Sequence, residues 1–167
     1  MEVKDNIILN HNEIKHKIRR IAFQIYESNV DEKEVILAGI DKNGFVFAKK
    51  IKSELQKISD IEPILCKVSI DKKNPLAEIK TSIAAEDFKN KSIVLVDDVL
   101  NSGTTLIYGV KHFLSVPLKQ FKTAVLVNRN HKKYPVKADF KGISLSTSLH
   151  EHVQVVLEGK KFEVVLE

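Results

Sequence analysis

One segment, SIVLVDDVLNSGTTL from Ser92 to Leu106, constrains this chain more than any other. Its first half, Ser92–Val96, is an apolar, largely β-branched run, the pattern of a strand covered on both faces. The run passes directly into two adjacent carboxylates, Asp97 and Asp98, and then into Asn101, Ser102, Gly103, Thr104 and Thr105. In open α/β sheets ligands bind beyond the carboxyl ends of the strands, so the acids fall at a binding edge. The small residues after them permit a tight turn into a helix, whose first N–H groups and dipole favour an anion. Hydroxyls of Ser102, Thr104 and Thr105 add donors. Carboxylates repel a phosphate, but they accept from sugar hydroxyls or reach magnesium through water. The segment thus describes a ligand with one phosphate, a polyhydroxylated centre and room for a metal. Helix capping alone is the plainer reading, but it leaves two charges at the end of the most apolar strand without a role. Neither the G-x-x-x-x-G-K-[ST] nor the G-x-G-x-x-G pattern is present, so nucleoside triphosphate and dinucleotide sites lack their signatures.

The rest of the chain predicts what surrounds this segment. Apolar residues from Val3 to Leu9 read as a short strand or extended arm. Asn10 or Asn12 caps a helix running to about Ser28, with Ile14, Ile18, Ile21 and Ile25 on one face. Glu34–Ile40 is a strand covered on both faces, and a turn at Asp41–Gly44 leads into a helix packed through Phe47, Ile51, Leu55 and Ile58. Glu62–Ile70 is a further strand, with Pro63 at its first positions. Asp71–Asp87 is a polar connection without regular structure. After the acidic pair comes a helix from about Thr104 to Leu114, closed by Pro117. Strands follow at Phe121–Val127, Ala138–Ile143, Val153–Leu157 and Phe162–Leu166, with Gly159 turning between the last two. Strands alternating with helices predict an α/β fold: an open, mostly parallel twisted sheet with flanking helices, and a small C-terminal antiparallel extension.

A chain of 167 residues with 43% apolar and 29% charged residues is sized and composed as one globular domain over 1–167, which argues against wholesale disorder. The single cysteine, Cys66, excludes an intrachain disulfide framework and suits a reducing, cytoplasmic setting. No apolar stretch is long enough for a membrane span, and the charged N-terminus is not a signal peptide. The net charge of +5 comes from a lysine excess; arginine occurs only at Arg19, Arg20 and Arg129. Such a balance permits phosphate-bearing partners, RNA among them, without requiring nucleic acid.

The segment VLVDDVLNSGTTL resembles the phosphoribosyl-pyrophosphate signature of type I phosphoribosyltransferases, with apolar run, double acid, Gly and Thr in register. LAGIDKNGFVFAKKI, from Leu37, and TAVLVNRNHKKYPVKADFKGISLSTS, from Thr123, resemble further regions of the branch that combines pyrimidine-operon attenuation with uracil phosphoribosyl transfer. The resemblance implies a magnesium-dependent transfer of ribose 5-phosphate from phosphoribosyl pyrophosphate to a small nucleobase, with uracil foremost. It implies that Asp97 and Asp98 are catalytic, meeting the ribose hydroxyls with magnesium held through water. Asn101, Ser102, Gly103, Thr104 and Thr105 then wrap the 5-phosphate. Asp41, Lys42, Asn43 and Gly44 meet pyrophosphate, in the family often through a non-proline cis peptide. Ser146 and Thr147 line the base pocket, and Arg129 joins the catalytic set from the acceptor side or on pyrophosphate. A homodimer is implied too, and RNA is a second candidate partner of a nucleotide-sensing regulator.

The chain also departs from that pattern. The mobile loop of the family corresponds to Ser69–Glu86, shortened here to a stretch with Lys72 and Lys73 but neither arginine nor tyrosine. A lysine is a point charge rather than a bidentate clamp. Asn43 stands near the place of an arginine, Asn128 replaces an acid, and Asn101 stands where purine-transferring relatives carry an acidic base. His131 is expected to face solvent, His150 and His152 lack a third metal ligand, and Tyr26, Tyr108 and Tyr134 form no platform by spacing.

Overall fold

A computed structural model describes residues 6–167. The expected arm from Val3 therefore lies partly outside the described residues; its remainder is β1, Asn6–Leu9. Helix α1, His11–Ser28, is opened by Asn10 rather than Asn12. The Asn10 side chain accepts the Glu13 N–H at 2.9 Å and the Glu13 carboxylate accepts the Asn10 N–H at 3.3 Å, a reciprocal capping box. Next come β2 (Glu34–Ile40), α2 (Asp41–Ile58), β3 (Glu62–Ser69), β4 (Lys80–Thr81), α3 (Ala85–Phe88) and β5 (Ser92–Leu100). The chain ends with α4 (Thr104–Phe113), β6 (Gln120–Arg129), β7 (Phe140–Leu145), β8 (Val153–Val156) and β9 (Glu163–Leu166).

Six strands form the main sheet in the order β4-β3-β2-β5-β6-β7. All neighbours from β3 to β7 pair in parallel, and β4 alone runs antiparallel at the edge. The continuous apolar runs of the central strands have a simple cause. Val35 and Leu37 of β2 join α1 and α2 in one core, while Ile36 and Ala38 join Phe88 of α3 and Leu106 and Phe113 of α4 in another. A strand sandwiched in this way needs apolar residues at both parities.

The chain moves from β2 outward to β3, then crosses back so that β5 lies on the other side of β2. The helices that follow β2 and β5 consequently lie on opposite faces, and a crevice opens between the carboxyl ends of these two strands. That crevice holds the site described below.

Three expectations are corrected. Asp41–Gly44 is not a turn before a helix; α2 begins at Asp41 itself, directly after β2. The polar stretch Asp71–Asp87 contains β4, paired antiparallel with Val68 and Ser69 of β3, and the start of α3. Strand β5 does not stop before the acids, because the ladder with β6 continues through Val99↔Val127 and Leu100↔Asn128. The expected C-terminal antiparallel extension is present and takes in the N-terminal strand: β1 pairs with β9 to give a three-stranded antiparallel sheet, β1-β9-β8. Its inward residues Leu9, Val153, Val155 and Val164 share the core of α1 and α2. Gly159 turns between β8 and β9 with φ +82°, as the sequence predicts.

Phe113 is fully buried against Phe88 and Phe121, with ring centroids 5.0 and 5.7 Å away. Phe113→Ala should lower unfolding stability by about 3–5 kcal/mol, read from the midpoint of urea denaturation.

Candidate functional site

The site is built where the first turn of α2 meets the end of β5. Gly44 is buried in that turn, and a Cβ on it would lie 2.7 Å from the Val96 carbonyl oxygen and 3.2 Å from Asp97 Oδ1. Only glycine lets the helix approach so closely. Asp41 begins the helix in the left-handed region, at φ 43°, an uncommon conformation for a residue with a side chain. The preceding Ile40 is extended, so the reversal from strand to helix is made in one residue. No described peptide bond is cis, which corrects the cis peptide the family resemblance suggested for this turn.

The two acids lie side by side in this junction, both nearly inaccessible to solvent. Asp97 Oδ1 accepts the Asp98 N–H at 2.9 Å, and Asp98 Oδ2 accepts from Asn43 Nδ2 at 3.1 Å. Burial pushes the Asp97 carboxyl well above the ordinary carboxylate range, and the neighbouring Asp98 charge pushes it further; Lys72 opposes both. Lys72, on the loop after β3, lines the same cavity as Asp97.

That cavity has a volume of about 140 Å³ and is walled by Asp97 on one side and the Asn101–Thr105 turn on another. Gly103 caps α4 at φ +87°, and its bare Cα leaves room for Val136, whose Cγ1 would be 2.6 Å from an added Cβ. The Ser102 and Thr104 hydroxyls lie 2.9 Å apart. The Ser102 carbonyl accepts the backbone N–H groups of Lys133 and Tyr134 at 2.7 and 3.3 Å, which pins the β6–β7 connection against the turn. Tyr134 then stands edge-on to Tyr108, centroids 6.3 Å apart, a pairing that spacing in the sequence does not reveal.

Arg129, expected on the acceptor side or on pyrophosphate, has its guanidinium engaged within the protein. It is buried, its Nε donates to Thr147 Oγ1 at 3.0 Å, and its Nη1 donates to Asn101 Oδ1 at 3.0 Å. Its Nη2 donates to the carbonyls of Ser148 and Glu151 at 3.2 and 2.7 Å. The residue ties the turn after β5 to the segment between β7 and β8. His131 does not simply face solvent; its Nε2 meets the Thr147 carbonyl. Ser146 is exposed, and Lys42 lies 4.0 Å from Glu158 of the small sheet, away from the cavity walls. Among the described residues no three His, Cys, Asp or Glu side chains cluster around a metal site.

The acceptors and donors are therefore separated in space. The Asp97 carboxylate from β5 faces one part of a small cavity, and a glycine-started helix with two hydroxyls faces another. This arrangement sets a carboxylate acceptor opposite an anion-favouring helix start at the topological switch point of an α/β sheet. Comparison with known proteins gives the class its name. Residues 5–158 match the phosphoribosyl transferase domain family. The chain is 34% identical over 178 aligned residues to the Bifunctional protein PyrR of Fusobacterium nucleatum subsp. nucleatum, covering 99% of this chain and 100% of that one. It is 32% identical to the Bifunctional protein PyrR of Clostridium novyi, covering 94% and 92%. Among solved structures, the hypoxanthine phosphoribosyltransferase of Trypanosoma cruzi superposes with a TM-score of 0.78 at 15% identity, covering 96% and 95%; that likeness concerns the fold. The chain belongs to the phosphoribosyltransferase family. It is an enzyme of that type, one that passes ribose 5-phosphate from phosphoribosyl pyrophosphate to a nucleobase.

The raised Asp97 carboxyl has a consequence for stability. Unfolded, the group ionises near its ordinary 3.8; folded, it keeps its proton to higher pH. Its contribution is full below the unfolded value and declines as pH rises through the folded titration. Asp97→Asn should therefore melt at a higher temperature than the ligand-free wild type at neutral pH, with the gap closing in acid, in a pH series of thermal melts. Gly44→Ala should cost about 1–3 kcal/mol by overpacking the junction, measured by urea denaturation.

Proposed function

We propose that the acceptor is uracil and that the residues around the cavity divide the donor between them. The observation that carries this reading is the buried Asp97 facing the Asn101–Thr105 turn across one small cavity, with the buried Asp98 next to it in the strand. The turn takes the 5-phosphate: backbone N–H groups at the start of α4, with the Ser102 and Thr104 hydroxyls, offer several donors to three phosphate oxygens. The acids accept from the two ribose hydroxyls, which fixes the sugar so that its C1 faces the acceptor nitrogen. Asn43 holds Asp98 in place through its 3.1 Å hydrogen bond, and the first turn of α2 meets the leaving pyrophosphate with its N–H groups. Lys72 reaches the cavity from the loop after β3 and counters the charge that collects there.

Magnesium fits this donor set as a hydrated ion. Asp97 Oδ2 and Asp98 Oδ1 accept no hydrogen bond among the described residues, and two carboxylates suit an ion that keeps several waters and shares substrate oxygens. When bound, it neutralises charge developing on the departing pyrophosphate. The uracil assignment follows from the resemblance of the segments from Leu37 and Thr123 to the uracil-transferring branch and from Asn101, which offers no proton acceptor of the carboxylate kind. A homodimer and a cytoplasmic, pyrimidine-salvage setting belong to the same reading; no described helix is long and apolar enough to cross a membrane.

A second activity, RNA binding, is favoured by one observation. A groove of about 390 Å³ between α1 and α2 is lined by Lys15, His16, Arg19 and Lys57, the last paired with Glu54 of the same wall. Cations in a groove attract a phosphate backbone with strong salt dependence. Binding of pyrimidine-operon leader RNA that weakens steeply with salt supports this second reading, and no binding at low salt overturns it.

Calorimetry with phosphoribosyl pyrophosphate, with and without magnesium, tests the donor site. The Asp97→Asn, Asp98→Asn double variant should lose at least about tenfold in donor affinity, since two charged acceptors are removed. Product assays across uracil, hypoxanthine, guanine, adenine and xanthine test the acceptor. Product with a purine but none with uracil would overturn the base assignment. Lys72→Met should raise KM for the donor severalfold, about the effect of losing one screened charge near the site.

A further inference from the structure

The cavity rim carries an amide whose orientation chemistry decides. Asn101 follows β5 directly, lines the cavity and is exposed to it. Its Oδ1 lies 3.0 Å from Arg129 Nη1. A guanidinium has donors only, so the oxygen of Asn101, not its nitrogen, must face the arginine. Arg129 itself cannot turn toward a ligand at low cost. Four of its five N–H donors already end on Asn101, Thr147, Ser148 and Glu151, and the residue is only 8% exposed. Releasing it would strand a buried cation and four acceptors. Arg129 is thus a positioning residue.

What remains free on Asn101 is its amino group. Nδ2 has no hydrogen-bond partner among the described residues. An amide with its oxygen sequestered can only donate, and it neither takes nor gives a proton at working pH. A base that presents a ring carbonyl oxygen satisfies such a donor, whereas a base that presents an amino group there leaves two donors facing each other.

Resting on the transferase reading above, we infer that Asn101 determines acceptor specificity: its Nδ2 donates to a carbonyl oxygen of the incoming base, with Arg129 holding the amide in that orientation. The residue thereby selects oxo-bearing bases. It does so from a position one step before the phosphate turn, so sugar and base are read by adjacent residues of one loop.

The test separates the base from the sugar phosphate. Calorimetry on the full chain uses two probes, ribose 5-phosphate and uridine 5′-monophosphate, with wild type, Asn101→Leu and Arg129→Lys. Wild type should bind the nucleotide more tightly than the sugar phosphate. Asn101→Leu should weaken the nucleotide by about tenfold and leave ribose 5-phosphate unchanged, the effect of one lost hydrogen bond in a partly desolvated site. Arg129→Lys should weaken the nucleotide in the same selective way, and combining it with Asn101→Leu should add little, because the two act as one unit. Equal weakening of both probes by Asn101→Leu, or of neither, overturns the inference while leaving the donor site intact. A wild type that binds ribose 5-phosphate but gains nothing from the base overturns it as well. A wild type that binds neither probe overturns the reading of the cavity itself, and the inference with it.

Discussion

Two carboxylates held side by side in the last turns of a buried strand are the constraint around which this molecule is arranged. Like charges repel, and both acids are almost removed from water. The surroundings temper this in specific ways. The Asp98 N–H and the Asn43 amide supply hydrogen bonds, Lys72 supplies opposite charge, and burial raises the proton affinity of the Asp97 carboxyl. A site that destabilises its own empty state in this way is complementary to something that brings hydrogen-bond donors and positive charge, and stability given up at the strand end becomes affinity for such a ligand.

The fold supplies the framework for that junction. Strand β5 is central, flanked by β2 and β6, and both of its faces are covered. Its backbone is fixed by a parallel ladder with β2 up to Val96 and by one with β6 that runs past the acids to Leu100. Glycines set the approach of the helices: Gly44 brings α2 against the Val96 carbonyl, and Gly103 begins α4 at a backbone angle that side chains resist. The β6–β7 connection then closes the flank through Ser102, and Arg129 closes the rim through Asn101. Each of these contacts joins residues far apart in sequence.

Much of the fold was legible because burial on two faces and on one face leave different marks. The runs at Glu34–Ile40 and Ser92–Val96 announce central strands, and the spacing of Ile14, Ile18, Ile21 and Ile25 announces the buried stripe of α1. The misreadings have equally local causes. Asp41–Gly44 looks like a turn because Asp, Lys, Asn and Gly favour turns, but contact with β5 pulls these residues into the first turn of α2. β4 is two residues long and held by a single edge pairing, which leaves no periodicity to detect. The partnership of β1 with β9 spans nearly the whole chain and has no local signature at all.

The sequence by itself determined which groups are available: a paired acid on an apolar strand, a small hydroxyl-bearing turn ahead of a helix, and two lysines in the connection after the third strand. These are properties of neighbouring residues, and neighbours in sequence stay neighbours in space. Only the tertiary structure decided how those groups are used. Whether Arg129 meets a ligand or the protein, which way the Asn101 amide points, and whether Asn43 faces pyrophosphate or Asp98 all depend on partners between 18 and 55 positions away. Hydrogen bonds at such separations are set by how strands and loops pack, and no local pattern encodes them.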